Sequence, residues 1–141
     1  MARRKATTRF YKHGVEVYER LDDLRQALGL SIKQFTALWG ITPAAYYTYA
    51  NGTSAPVIST LYELQKACGV TIEYAYTGAT TTLPPKLRHY LRRHLNDQKI
   101  YKDPLDIVRE VCSSEAASRV KPAGIRGRRP MREREDYAGK S

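Results

Sequence analysis

Cysteine is scarce in this chain: Cys68 and Cys112 are the only two in 141 residues. Two thiols cannot build a disulfide framework, and these lack metal-site spacing. Each falls late in an apolar helical pattern, which predicts buried, reduced thiols. Long hydrophobic runs are missing too, since no stretch approaches the roughly 20 apolar residues that a membrane span needs. No apolar region follows the basic start Met1-Ala2-Arg3-Arg4-Lys5. No signal peptide is read, no membrane partner is expected, and the expected compartment is cytoplasmic. There is no period-two alternation and no internal repeat, so nothing reads as a strand. Catalytic equipment is also lacking. His13, His89 and His94 do not converge, and a spacing of five between the last two misaligns them on a helix. No Gly-rich phosphate loop, paired-carboxylate site or nucleophile motif is visible. The sequence therefore predicts no enzyme, no metal and no cofactor.

What is present is positive charge. Lys and Arg number 24 against 14 Asp and Glu, a formal charge of +10, in a chain 42% hydrophobic. That balance suits a globular protein with a polyanionic partner, nucleic acid first and anionic membrane second. The charge is unevenly placed: residues 1–14 carry +5, residues 15–78 carry −2, residues 79–118 carry +2 and residues 119–141 carry +5. Tyrosine is the other excess, with 11 Tyr against 2 Phe and 1 Trp. Tyr packs in cores yet keeps a polar handle for wet interfaces.

The middle of the chain reads as consecutive short helices. Val17, Leu21, Leu24 and Leu28 place one apolar stripe on a helix over 15–28, and Gly29 stops it. Ser31-Ile32-Lys33-Gln34 has the pattern of a capping box and opens a helix through Trp39, with Phe35 and Leu38 inward. After Gly40 and Ile41, Thr42 and Pro43 open another helix to about Ala50, the first as N-cap and the second at the first helical position. A helix over 58–68 carries Leu61, Leu64 and Cys68 on its stripe, and Thr71 caps a short one from Ile72 to Tyr76. Beyond a Thr-rich linker, Pro84-Pro85 starts a helix to about Asn96 with Leu87, Leu91 and Leu95 on one line. Asp103-Pro104 starts the last, which the pattern carries to about Ser118. From Arg119 onward Pro, Gly and Arg dominate, and the tail is expected to be disordered when unbound.

A helix, a Gly-containing turn and a second short helix make a helix-turn-helix signature. Here the sequence resembles a known family. Residues 17–78 are similar to the five-helix Xre/Cro, or lambda-repressor-like, DNA-binding domain. The resemblance rests on Leu21-x-x-Leu24-Arg25-x-x-x-Gly29-Leu30-Ser31 and Phe35-x-x-Leu38-x-Gly40-Ile41-Thr42. It continues through Asn51-Gly52-x-x-x-Pro56, Thr60-Leu61-x-x-Leu64-x-x-Ala67-x-Gly69-Val70 and Tyr74-x-x-Thr77-Gly78. It implies an all-α, five-helix lambda-repressor-like domain over 15–78. This is followed by a helical hairpin over 79–118, with basic flexible tails at 1–14 and 119–141.

The resemblance further implies a dimeric regulator of transcription, repressor-like, bound to double-stranded DNA with helix 43–50 in the major groove. Alignment assigns Tyr46 and Tyr49 to the core. Thr42, Pro43, Ala44, Tyr47, Thr48 and Asn51 remain as the exposed set, followed by Thr53 and Ser54. Asn51 has two compatible uses, a phosphate contact and a cap before Gly52. Free N–H groups near Ser31 to Lys33 suit a phosphate, with Lys33 and Gln34 as the nearest polar side chains. The exposed set contains no Arg, Lys or Gln, a departure from a strong sequence-reader, whose discriminating contacts are bidentate ones of Arg on guanine and Asn or Gln on adenine. Two readings remain open: duplex binding through shape and methyl contacts, or a helix turned to another partner, such as a host protein. A low-specificity nucleic-acid binder is the third.

The flanks are expected to hold the phosphate backbone. Arg3, Arg4, Lys5 and Arg9 form an arm before the first helix. Arg126, Arg128 and Arg129 lie in a segment similar to the Arg-Gly-Arg-Pro core of AT-hook minor-groove binders, with one Arg inserted. The hairpin at 79–118 has two uses, padding of the five-helix core and dimerisation, and dimerisation is preferred.

Overall fold

The structure is a computed structural model that describes residues 10–122, so Arg3, Arg4, Lys5, Arg9, Arg126, Arg128 and Arg129 lie outside the described residues. All regular structure among the described residues is helical. The order is α1 (Lys12–Ala27), α2 (Ile32–Trp39), α3 (Pro43–Ala50), α4 (Ile58–Cys68), α5 (Ile72–Thr77), α6 (Pro85–Leu95), α7 (Pro104–Val111) and α8 (Ser114–Ser118).

Local chemistry explains most boundaries. The capping box forms: Gln34 N donates to Ser31 Oγ at 3.1 Å and Ser31 N to Gln34 Oε1 at 2.9 Å. Thr42 accepts from Ala45 N at 3.1 Å with Pro43 in the first turn, and Thr71 accepts from Tyr74 N at 3.1 Å. Gly40 ends α2 at φ 94°, a left-handed conformation that residues with a Cβ rarely adopt.

α1 is the hub, with α3, α5 and α6 packed around it, while α2 and α4 pack on each other and α8 lies across both. Leu21, Leu24, Phe35, Leu38, Trp39, Tyr46, Leu61 and Leu64 are buried in one cluster with Leu87, Leu91, Ile107, Val108 and Ala116. Polar ties fix the angles between helices. Trp39 Nε1 donates to Thr60 O at 2.8 Å, and Tyr74 Oη donates to Arg20 O at 3.0 Å. Arg20 in turn donates to Ala75 O at 3.0 Å and Tyr76 O at 2.9 Å, capping α5.

Four expectations are revised. α1 begins at Lys12 rather than at 15, and Gly14 in its first turn lies close against the segment at Ala55: a Cβ there would stand 2.7 Å from Ala55 Cβ. The helix expected from Pro104 to Ser118 is two helices. Cys112 is extended at ψ 162° and Ser113 caps α8, its N–H donating to Ala67 O at 2.8 Å. Leu95 is 56% exposed, and Tyr90 takes the inward place, donating its hydroxyl to Glu110 at 2.6 Å. Leu95 closes the final turn of α6, past the point where the helix has a buried face. Finally, Cys68 is buried but Cys112 is half-buried, and both are free. A hydrogen bond with Cys68, then burial, push the Cys112 thiol up, so it stays protonated.

The apolar faces of residues 79–118 pad the first five helices: Leu87, Tyr90, Leu91, Ile107 and Val108 all join the common core. Of the two uses weighed for this region, padding is the one these side chains serve.

Candidate nucleic-acid interface

Recognition by a helix requires that its inner face be fixed before its outer face can read. α3 meets this with tyrosine. Tyr46 is fully buried, its ring edge-on to Phe35 at 5.8 Å and to Trp39 at 6.4 Å, and tilted against Tyr18 at 5.1 Å. Its hydroxyl donates to Asp22 Oδ1 on α1 at 2.8 Å. Tyr49 is buried beside it against Trp39, with ring centroids 6.0 Å apart.

Asp22 collects this network. Arg25 Nε donates to it at 2.7 Å and Gln26 Nε2 at 2.8 Å, while Arg25 Nη1 reaches on to Leu30 O at 2.8 Å. Burial works against the charged carboxylate, but the bonds from Arg25, Tyr46 and Gln26 outweigh it and hold the Asp22 carboxyl below its ordinary range. Burial, then the bond to Asp22, push the Tyr46 hydroxyl well above its ordinary value, so it remains a donor.

The opposite face of α3 is open. Thr42, Pro43, Ala44 and Tyr47 are exposed, Tyr47 at 53%. Ala45 is half-buried. Thr48 belongs less to this face than expected: it is half-buried, its Oγ1 donates to Ala45 O at 2.6 Å and it pairs with Ser54 Oγ at 2.6 Å. Ser54 is half-buried with it. Asn51 is exposed and its Oδ1 accepts from Thr53 N at 3.1 Å and from the Thr53 hydroxyl, so the carbonyl end of its amide shapes the loop.

The first turn of α2 presents Ser31 and Lys33, both exposed. Gln34 is removed from the expected set. It is 8% exposed, its Oε1 serves the capping box, and its Nε2 donates to Lys121 O at 2.7 Å. The capping pattern was visible in the sequence, but the second partner, 87 residues away, had no local signal.

The described structure adds side chains that the sequence did not single out. Val57, Ile58 and Tyr62 are exposed at 60%, 53% and 50% around the start of α4. The i to i+4 spacing of Ile58 and Tyr62 was the available signal. Tyr11 N donates to Gly52 O at 2.9 Å, so the chain preceding α1 is pinned beside the loop that follows α3. His13 stacks on Tyr76 at 4.8 Å and pairs with Glu16 at 3.3 Å. Among the described residues no group of three or more His, Cys, Asp or Glu could hold a metal ion, and no helix is long and apolar enough to cross a membrane.

Residues 21–74, which span the second half of α1 through the first turn of α5, match a family model described as helix-turn-helix. No curated protein matches the chain, and no solved structure does.

Proposed function

From the helix-turn-helix domain of the Xre/Cro kind that residues 21–74 form, we infer that the protein is a repressor-like regulator of transcription that reads duplex DNA with α3. The observation that carries this reading is the division of α3. Tyr46 and Tyr49 fix its inner face, while Thr42, Pro43, Ala44 and Tyr47 face solvent with no core duty. A helix so held fits the major groove with its first residues at the base edges. The discriminating contacts are then a Tyr47 hydroxyl bond and apolar contacts from Ala44 and Pro43 to thymine methyl groups. Thr53, the Asn51 amide and the first turn of α2, with Lys33, lie toward the phosphates.

Affinity comes in large part from the basic flanks, through counterion release. Support for the N-terminal arm comes from its root, since Tyr11 is tied to Gly52 directly after α3. A second copy is part of the proposal, because two half-sites need two readers. The apolar side chains of residues 79–118 left exposed for such a contact are Leu95 and Tyr101, at 56% and 89%.

Selection from random duplex fragments at about 150 mM salt, where non-specific binding is weak, tests the reading. The expected result is an enriched palindromic motif that Tyr47→Ala abolishes while leaving the fold unchanged. Salt-labile retention without a motif would replace it with a low-specificity binder. No retention would replace it with a module for a protein partner, the use that the uncharged outer face of α3 favours next.

A further inference from the structure

The chain does not leave the fold at the end of α8. Arg119 lays its guanidinium on the last turn of α2, Nε donating to Ala37 O at 3.1 Å and Nη2 to Leu38 O at 2.8 Å. Carbonyls in a final turn have no partner within the helix, and a cation beside them meets the negative end of the helix dipole. Val120 is buried next. Lys121 then offers its carbonyl to Gln34 Nε2 at 2.7 Å, in the first turn of the same helix. Residues 119–121 therefore run along α2 from its end to its beginning. α8, packed on α2 and α4, holds the start of that run.

Charge makes this course meaningful. Lys33 and Lys121 are both exposed at the point where the run ends. Beyond it the sequence carries Arg126, Arg128, Arg129 and Arg132 before the first acid, Glu133.

We propose that residues 119–122 are a strap that roots the basic tail at the first turn of α2 and so delivers its arginines to the DNA backbone beside α3. The inference rests on the duplex-binding reading given above. A tether raises the local concentration of a second contact, which falls roughly as the −3/2 power of tether length. Arg126 stands five residues beyond Lys121 but eight beyond Ser118, the last residue of α8. Unhooking the strap thus dilutes the first arginine about twofold, and inserting eight Gly and Ser residues after Pro122 dilutes it about fourfold.

The test uses the full chain and a selected duplex site, with binding measured across a salt series. Replacing Arg126, Arg128 and Arg129 by Gln is expected to weaken binding and to flatten the log–log salt slope by about 0.9 for each phosphate that the tail no longer neutralises. The eight-residue insertion, which leaves the strap intact, is expected to weaken binding about fourfold. Arg119→Met combined with Val120→Asp, which removes both the guanidinium clasp and the buried side chain so that the run detaches, is expected to cost about twofold in the native tail and nothing in the neutralised one. An insertion variant that binds like the native chain, or an effect of the double Arg119→Met, Val120→Asp variant that is equal in both tails, overturns the strap while leaving the α3 reading intact. If neither the native chain nor any variant binds duplex, the α3 reading itself falls and the strap with it.

Discussion

Removing one hydroxyl tests how α3 is held. In Tyr46→Phe the ring keeps its packing on Phe35, Trp39 and Tyr18, and only the 2.8 Å bond to Asp22 disappears. Hydrogen bonds to charged groups contribute about 1.5–3 kcal/mol. Asp22 keeps Arg25 and Gln26 as donors, which places the expected loss near the lower end, about 1.5–2 kcal/mol at pH 7. A pH dependence accompanies it. The folded-state pKa of Asp22 is depressed, so the stability it contributes is present above its unfolded value and is lost as pH falls through the lower folded one. The gap between native and Tyr46→Phe proteins is therefore expected to narrow as pH falls from 7 to about 3, below the ordinary Asp value. Urea unfolding of both proteins at several pH values measures it, with an unchanged slope and a shifted midpoint as the mark of a pure stability effect. A variant as stable as the native protein at pH 7, or a gap that does not change with pH, would refute the network as the clamp on α3.

Two further substitutions report on neighbouring parts of the helix-turn-helix. Gly52→Ala forces a Cβ onto a residue at φ 79° and against the Phe10 ring, and an expected loss of about 1–2 kcal/mol in urea unfolding follows from the left-handed conformation alone. Ser31→Ala removes the acceptor for Gln34 N at the start of α2 and is expected to cost about 1 kcal/mol in the same assay.

Features set by neighbours in sequence were legible before the structure. Ser31 with Gln34 and Thr42 with Pro43 depend on chemistry within four residues, and each forms as read. The inward turn of Tyr46 and Tyr49 was legible through the family pattern, as was the outward turn of Tyr47. Competition between distant groups was not legible. Gln34 reads as a polar residue near a phosphate until Lys121 claims its amide, and Thr48 reads as an open hydroxyl until Ser54 arrives beside it. Leu95 continues an unbroken stripe, yet nothing in a stripe tells where the opposing surface ends. The break at Cys112 follows from a bond between Ser113 and Ala67, across two elements that sequence spacing keeps far apart.

The buried cluster runs without interruption from Val17 to Val120, whereas the family match closes at residue 74. The helix-turn-helix is thus not a cassette that can be lifted out along the borders of its family match. Leu87 and Leu91 share their core with Leu21 and Leu24, and Arg119 grips the last turn of α2. A change of sequence in the last three helices is therefore a change in the seat of α2 and α3.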